Sequence, residues 1–199
     1  SYLFLAAVTS FWIGCNGASK EIVKERAIYL RERDVNLSVL SYYLSKTLVT
    51  CIFILPQIAL VFATLLIAQV PVPVDKSSQL GFMALAGVVG AGLGLLLSAV
   101  SNTRDRATTL VPLVLVPQIV LAGVIVPDLS TGVDLFARVT ISAYWLNDGM
   151  MGACGDCYRQ AGSSSNSQGE WAQLILVAHF VVFVLIGYLV MKFRDSRRP

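Results

Sequence analysis

Five long stretches of the chain carry no Asp, Glu, Lys or Arg, and they limit the fold more than any other feature. Each is at least 19 residues long, and they lie at residues 1–19, 47–74, 77–103, 107–127 and 171–191. About 20 helical residues cross the roughly 30 Å hydrocarbon layer of a bilayer. In lipid the backbone must satisfy its own hydrogen bonds, so such runs are typical of helices. The sequence therefore predicts a membrane protein.

The composition agrees with this prediction. The 199 residues are 56% hydrophobic and only 14% charged, whereas a soluble domain has about 25% charged residues. We predict an all-α fold, a polytopic membrane helical bundle that forms a single transmembrane domain over residues 1–199. The five predicted spans lie near residues 1–17, 45–68, 79–101, 108–126 and 171–191.

The distribution of basic residues predicts the orientation. With the amino end outside, the inner segments 20–46, 104–106 and 192–198 hold twelve of the fifteen Lys and Arg residues. Acidic residues divide equally, so the inside carries the positive excess that cytoplasmic loops favour. We therefore expect a multi-pass protein of the plasma (inner) membrane with its carboxyl end in the cytoplasm. The net charge of +3 reflects this orientation. Anionic membrane lipids are a sufficient partner for the basic residues, so no nucleic-acid partner is predicted.

Two segments between the spans have a predicted structure of their own. Segment 19–36 has no Pro or Gly, and Ile22, Val23, Ala27 and Leu30 fall on one side at helical spacing. We predict an amphipathic connecting helix on the cytoplasmic surface, acting either as a simple interfacial anchor or as a docking helix for a cytosolic partner. The outer loop 128–170 contains an uncharged run too short to cross, which predicts short re-entrant helices.

Several polar or small residues lie inside the predicted spans. Gly90 and Gly94 form a small-xxx-small pair, which favours close helix packing over a hinge. Pro112, Pro117 and Gln118 predict an irregular helix, with Gln118 serving either packing or a polar pathway. His179 is the only histidine of the chain, and a neutral ring bonded to a neighbouring helix is favoured over a functional role.

The sequence contains few groups of residues that could form a disulfide, bind a metal or carry out catalysis. Cys154 and Cys157 lie in the outer loop, where a local disulfide is favoured over free thiols or an intersubunit bridge. A zinc site would need further ligands nearby, so no metal is predicted. No catalytic set and no G-x-x-x-x-G-K-[ST] phosphate-binding loop is present. Whether the chain takes part in an enzyme is therefore left open, and it has no cofactor of its own.

The order of several motifs resembles a known family. Residues 12–14 (WIG), 25–33 (ERAIYLRER) and 41–46 (SYYLSK) follow one another as in the transmembrane domain of type-2 ABC exporters, particularly the G subfamily and its bacterial relatives. Residues 122–127 (AGVIVP) are similar to the outer end of that family's fifth helix. The resemblance covers nearly the whole chain, from the family's second helix to its sixth.

This resemblance implies a transport function, and it also implies further domains, a dimer and roles for particular residues. The first helix and a nucleotide-binding domain, which would hold ATP and Mg, would lie outside this sequence, in the same polypeptide or in a separate subunit. Two transmembrane halves would form a dimer. Coupling to the nucleotide-binding domain is implied for Glu25, Arg26, Arg31 and Glu32. A substrate cavity is implied for Ser10, Ile13, Pro112, Val116 and Ile119, and an outer plug for Val124 and Ile125.

Three functions follow as hypotheses. The first is the permease domain of an ATP-driven exporter that moves apolar or amphipathic, lipid-like or drug-like substrates. The second is a membrane anchor or receptor that transports nothing and binds a partner through its outer loop. The third, an intramembrane enzyme, has little support because no reactive residues converge.

Overall fold

A computed structural model describes residues 2–68, 75–122, 131–152 and 169–196. Within these ranges the chain forms nine α-helices and no strand, which confirms the all-α helical bundle. In chain order the helices are α1 (Tyr2–Ala18), α2 (Glu21–Lys24), α3 (Arg26–Asp34), α4 (Val39–Ile67), α5 (Lys76–Val100), α6 (Arg104–Val120), α7 (Thr131–Thr140), α8 (Ser142–Gly152) and α9 (Gly169–Ser196).

Among the residues that the structure describes, three helices are long and apolar enough to cross a membrane, namely α4, α5 and the Trp171–Asp195 part of α9. The first and fourth predicted spans correspond to α1 and α6, each of 17 residues. At 1.5 Å per residue each of them is about 26 Å long, slightly less than the hydrocarbon layer. The protein is an integral membrane protein, and the count of five spans stays a prediction.

Helix α4 begins six residues before the predicted span because Ser38 caps it. The Ser38 hydroxyl accepts a hydrogen bond from the Ser41 backbone N–H at 3.1 Å, as N-cap serines commonly do. Pro56 lies inside α4 without ending it. The helix thus starts outside the apolar run, and its first turns belong to the same end of the bundle as the connecting segment.

The connecting segment is helical but is divided at Glu25, which differs from the single predicted helix. The Ser98 hydroxyl of α5 accepts the backbone N–H groups of Ile22 and Val23, both at 3.1 Å, and so fixes α2. After the break the buried side of the segment continues at Tyr29, seven residues beyond Ile22. Tyr29 is buried and packs on Tyr42 with ring centroids 4.6 Å apart.

The predicted apolar face is correct for Ile22 and Val23, which are buried. It is wrong for Ala27, which is exposed, while Leu30 is half-buried. The reason is its place in the helical period, since Tyr29 and Leu30 follow Ile22 and Val23 by seven residues and so share their face. Ala27 lies at the edge of that face, where it is exposed.

Helix α5 is the centre of the bundle, and glycine lets α1 approach it closely. A Cβ atom on Gly90 would overlap the carbonyl oxygen of Phe11, and one on Gly94 would overlap that of Cys15. A Cβ atom on Gly14 would overlap the carbonyl oxygen of Gly87 in the same way. The backbones of α1 and α5 are therefore in direct contact. This confirms the close packing predicted for the Gly90 and Gly94 pair.

Between α6 and α9 the structure describes residues 131–152, and these form two short helices, α7 and α8, in agreement with the predicted short helices. Ile141 separates them and is buried with Ala137 and Ala143 in a small cluster against α1 and α6. The Trp145 indole N–H donates to the Arg138 backbone oxygen at 2.6 Å. This bond holds the start of α8 against the end of α7.

Candidate functional site

Four helices and the connecting segment meet at one end of the bundle, which we call the connector end. It comprises α2, α3, the start of α4, the end of α5, the start of α6 and the end of α9. Glu25 forms an ion pair with Lys46 of α4. Arg26 donates to the Asn102 side-chain oxygen at 3.1 Å, just after α5. The two neighbouring residues therefore bind the connecting segment to two different helices.

The carboxyl end of α9 also belongs to this network. Arg33 Nε lies 2.7 Å from Asp195 Oδ2, and Arg33 also donates to the Leu37 backbone oxygen at 2.7 Å. Hydrogen bonding to the Asp195 carboxylate raises the pKa of the Arg33 guanidinium above its ordinary value. The connecting segment thus contacts α4, α5 and α9.

Arg194 caps the carboxyl end of α5. Its guanidinium donates to the backbone oxygens of Ala99, Val100 and Ser101 at 2.5, 3.0 and 3.2 Å, and also to the Asn102 side chain. The last carbonyl groups of a helix lack intrahelical donors and carry partial negative charge. A cation placed there satisfies them, so α5 and α9 are joined at this end.

Of the predicted coupling residues, Arg31 and Glu32 occupy a different position from Glu25 and Arg26. Both are exposed and line an open groove together with Ile28, Val35, Asn36 and Leu37. Ile28 is 49% exposed and Val35 is 82% exposed. The four predicted residues therefore form two groups, one bonded within the bundle and one on its surface.

The predicted cavity residues lie on α1 and α6 with unequal exposure. Ser10 is buried, and its hydroxyl donates to the Ala6 backbone oxygen at 2.8 Å. Ile13 and Ile119 are half-buried, whereas Pro112 and Val116 are exposed. Only part of the predicted set therefore faces outward in the single chain. Their role as a substrate cavity stays a prediction.

Two other predicted sets lie outside the described residues. These are the plug residues Val124 and Ile125 and the disulfide candidates Cys154 and Cys157. Cys15 and Cys51 are free thiols within the bundle. Across residues 2–68, 75–122, 131–152 and 169–196, no three His, Cys, Asp or Glu side chains are grouped as a metal site.

Both polar residues of uncertain role have structural partners. The Gln118 side-chain oxygen accepts the backbone N–H of Ala143 at 3.2 Å, at the start of α8. His179 Nε2 lies 2.9 Å from the Val139 backbone oxygen, so this nitrogen carries the proton. Each side chain holds one of the short helices against the bundle, which favours the packing interpretation for both.

Sequence reasoning missed the partners of the connector residues. Ser98, Arg194 and Asp195 lie in or beside apolar helices and belong to no motif, and the SYYLSK motif that contains Lys46 does not indicate its partner. The one available signal was position, because a charged residue at the end of a span tends to meet other charged residues at the same membrane face. Position along the span therefore indicates the membrane face on which a charged residue lies, but it does not identify the residue that it contacts.

The family model described as "ABC-2 type transporter" matches residues 1–152. The chain is also similar to the ABC transporter ATP-binding/permease protein Rv1747 of Mycobacterium tuberculosis, at 29% identity over 132 residues. That match covers 63% of this chain but only 15% of the relative's length. With most of its residues matched by the family model, the chain belongs to the ABC-2 type transporter family.

Proposed function

We propose that this chain is the permease domain of an ATP-driven exporter of apolar or amphipathic substrates. The observation that carries the proposal is the bonding of one short charged segment to the ends of α4, α5 and α9, through Glu25, Arg26 and Arg33. A displacement of this segment would act on three membrane helices together. Such an arrangement suits a domain that receives force from outside the membrane.

The exposed groove of Arg31 and Glu32 is the surface on which an ATP-binding domain would act. It combines apolar side chains with charges of both signs, a composition that suits a protein partner at the rim of an interface. The similar protein Rv1747 is by name an ATP-binding/permease protein, which supports such a partner, either fused or separate. ATP and Mg would be held there, since this sequence has no phosphate-binding loop.

The substrate route is proposed along the exposed face of α6. Pro112 is exposed, and Val116 is 59% exposed. Leu113 beside them is 66% exposed. An apolar face of this kind suits a second transmembrane half, with apolar substrate passing between the two copies and beyond the plug residues Val124 and Ile125. The orientation proposed places the connector end in the cytoplasm of a plasma (inner) membrane protein.

Charge reversal in the groove tests this proposal. The variant Arg31→Glu with Glu32→Arg is introduced into the full protein with its ATP-binding domain, and export and ATPase activity are measured in proteoliposomes. We expect export to fall about tenfold, which corresponds to about 1.4 kcal/mol. Lys192→Glu, an exposed charge reversal on α9, is the control and should leave export unchanged. Equal export by both variants would contradict the proposal.

A further inference from the structure

A second cavity lies between α2, the end of α1 and one face of α4, apart from the proposed substrate route. We call it the α4 cleft. Its volume is about 410 Å³, within the range of small-molecule sites. The cleft is lined by Gly17, Glu21, Lys24, Glu25, Lys46, Val49, Thr50, Phe53, Ile54 and Gln57.

One end of the α4 cleft carries two positive and two negative charges. Lys24 Nζ lies 2.6 Å from Glu21 Oε1, and Lys46 pairs with Glu25. All four side chains are partly exposed, from 19% to 38%. Their charges sum to zero, so this end does not attract a simple anion or cation. It offers ammonium and carboxylate groups side by side, which suits a ligand that itself carries both signs of charge.

The rest of the α4 cleft follows a single face of α4 into the apolar part of the helix. Lys46, Val49, Phe53 and Gln57 recur at spacings of three and four residues, which places them on one face. The cleft extends about 16 Å along the helix from Lys46 to Gln57, at 1.5 Å per residue. Val49 is 46% exposed and Phe53 is 66% exposed. The wall is therefore apolar below the charged end.

Gln57 stands at the inner end of the cleft, and its side chain is exposed. It lies farther from the charged end than Val49 and Phe53, so it marks the inner limit of the apolar wall. A phospholipid carries its charged headgroup at one end and its acyl chains beyond, in the same order as the charged end and the apolar wall of the cleft.

We propose that the α4 cleft binds one phospholipid with a zwitterionic headgroup. The phosphate would lie against Lys24 and Lys46, and the ammonium would lie against Glu21 and Glu25. The acyl chains would follow Val49 and Phe53. This site goes beyond the proposed export function, because it uses none of the proposed cavity residues and requires no ATP.

Photo-crosslinking in lipid nanodiscs tests the site. The photoreactive amino acid p-benzoylphenylalanine replaces Phe53 in the full protein, and nanodiscs contain equal amounts of phosphatidylcholine and phosphatidylglycerol. Lipid adducts are counted by mass spectrometry. The control places the same group at Leu185, which is 53% exposed on α9, lies outside the cleft and is as far along its helix from Lys192 as Phe53 is from Lys46. We expect the ratio of phosphatidylcholine to phosphatidylglycerol adducts to be about fivefold higher at Phe53, a difference of about 1 kcal/mol.

A change of charge should reverse this preference. Glu21→Gln with Glu25→Gln gives the cleft a net charge of +2 and should make phosphatidylglycerol the preferred adduct at Phe53. Glu32→Gln with Asp34→Asn removes the same charge from exposed positions of α3 and should leave the ratio unchanged. Unchanged control adducts at Leu185 show that the variants still assemble.

Three results would overturn the inference. The first is an equal lipid ratio at Phe53 and Leu185. The second is a ratio at Phe53 that does not respond to the Glu21 and Glu25 changes. The third is crosslinking of Phe53 to a second copy of the chain in place of lipid, which would identify the cleft as an interface between copies.

Discussion

Arg33 Nε and Asp195 Oδ2 lie 2.7 Å apart, although 162 residues separate them in the chain. The bond joins the end of α3 to the end of α9. Because Arg194, the preceding residue, holds the last carbonyl groups of α5, two neighbouring positions of α9 tie it to two other elements. The connector end is thus one bonded unit.

The Arg33–Asp195 ion pair should make a measurable but small contribution to stability. Its side chains are 34% and 14% exposed, and solvent weakens the attraction in pairs that water can reach. In a double-mutant cycle of Arg33→Ala and Asp195→Ala, followed by thermal unfolding in detergent, the two substitutions together should lower the melting temperature by less than the sum of their separate effects. The Lys24–Glu21 pair on α2 is the control and should give about 0.5 kcal/mol or less. A coupling energy of zero for Arg33 and Asp195 would contradict the prediction.

The Glu25–Lys46 ion pair should matter for coupling between ATP hydrolysis and export. Glu25→Lys places two ammonium groups together and should lower export per ATP hydrolysed about tenfold, equivalent to about 1.4 kcal/mol. The exchange Glu25→Lys with Lys46→Glu restores the opposite charges and should restore much of the export. Export and ATPase activity are measured together in proteoliposomes. If the exchanged variant is no better than Glu25→Lys alone, the pair is not what transmits the force.

Adding a methyl group between α1 and α5 should destabilise the bundle. Gly14→Ala would force its Cβ onto the Gly87 carbonyl oxygen, and overpacking of this kind costs about 1–3 kcal/mol. Gly17→Ala lies on the same helix, where a Cβ meets nothing within 4 Å. It should therefore be neutral or slightly stabilising. Thermal unfolding of the two purified variants measures the difference, and equal melting temperatures would show that α1 and α5 are not in backbone contact.

Removing the Gln118 side-chain oxygen should loosen the start of α8. Gln118→Met leaves the buried N–H of Ala143 without its acceptor, which costs about 1–3 kcal/mol. Gln57→Met makes the same change at an exposed position and should have a smaller effect on unfolding. Hydrogen exchange at Ala143 gives a local measurement. Unchanged protection of that amide in Gln118→Met would refute the capping role.

The Asp75 carboxylate should make the stability of the folded protein depend on pH. A hydrogen bond from the Ser77 hydroxyl lowers the pKa of Asp75 below its ordinary value. A lowered pKa stabilises the folded state above the ordinary carboxylate pKa of about 3.9, and this contribution is lost as the pH falls through the lowered value.

The stability difference between the native protein and Asp75→Asn should therefore be constant above about pH 5 and should shrink in more acidic solution. Thermal unfolding between pH 2 and pH 7 measures it. Ser77→Ala, which removes the hydroxyl donor, should reduce the difference at neutral pH. A difference that grows on acidification would have the wrong sign for this mechanism.

The spacing of apolar residues in the connecting segment predicted part of its buried side correctly and part of it wrongly. Spacing placed Ile22 and Val23 correctly on the buried side, because a short helix keeps its register over a few residues. Ala27 was assigned wrongly because it lies at the edge of the face formed by Ile22, Val23, Tyr29 and Leu30, where spacing alone does not decide burial. The break at Glu25 was also missed, since the contacts around it, with Ser98 and Tyr42, come from distant residues that no local pattern in residues 19–36 records.

The glycine pair shows the opposite case. Gly90 and Gly94 could be recognised from sequence as a packing surface because the absence of a side chain has the same consequence in any helix pair. The identity of the partner helix could not be recognised, since α1 offers only ordinary carbonyl groups at Phe11 and Cys15.

The sequence by itself determined that the chain is a bundle of membrane helices with a charged connecting segment, and it indicated the transporter family. It could do so because long uncharged runs have few stable alternatives in lipid. The tertiary structure alone decided which charges meet, such as Arg33 with Asp195 and Arg194 with the end of α5. Ion pairs depend on distance in space, and helices that are far apart in sequence reach that distance only when the bundle is packed.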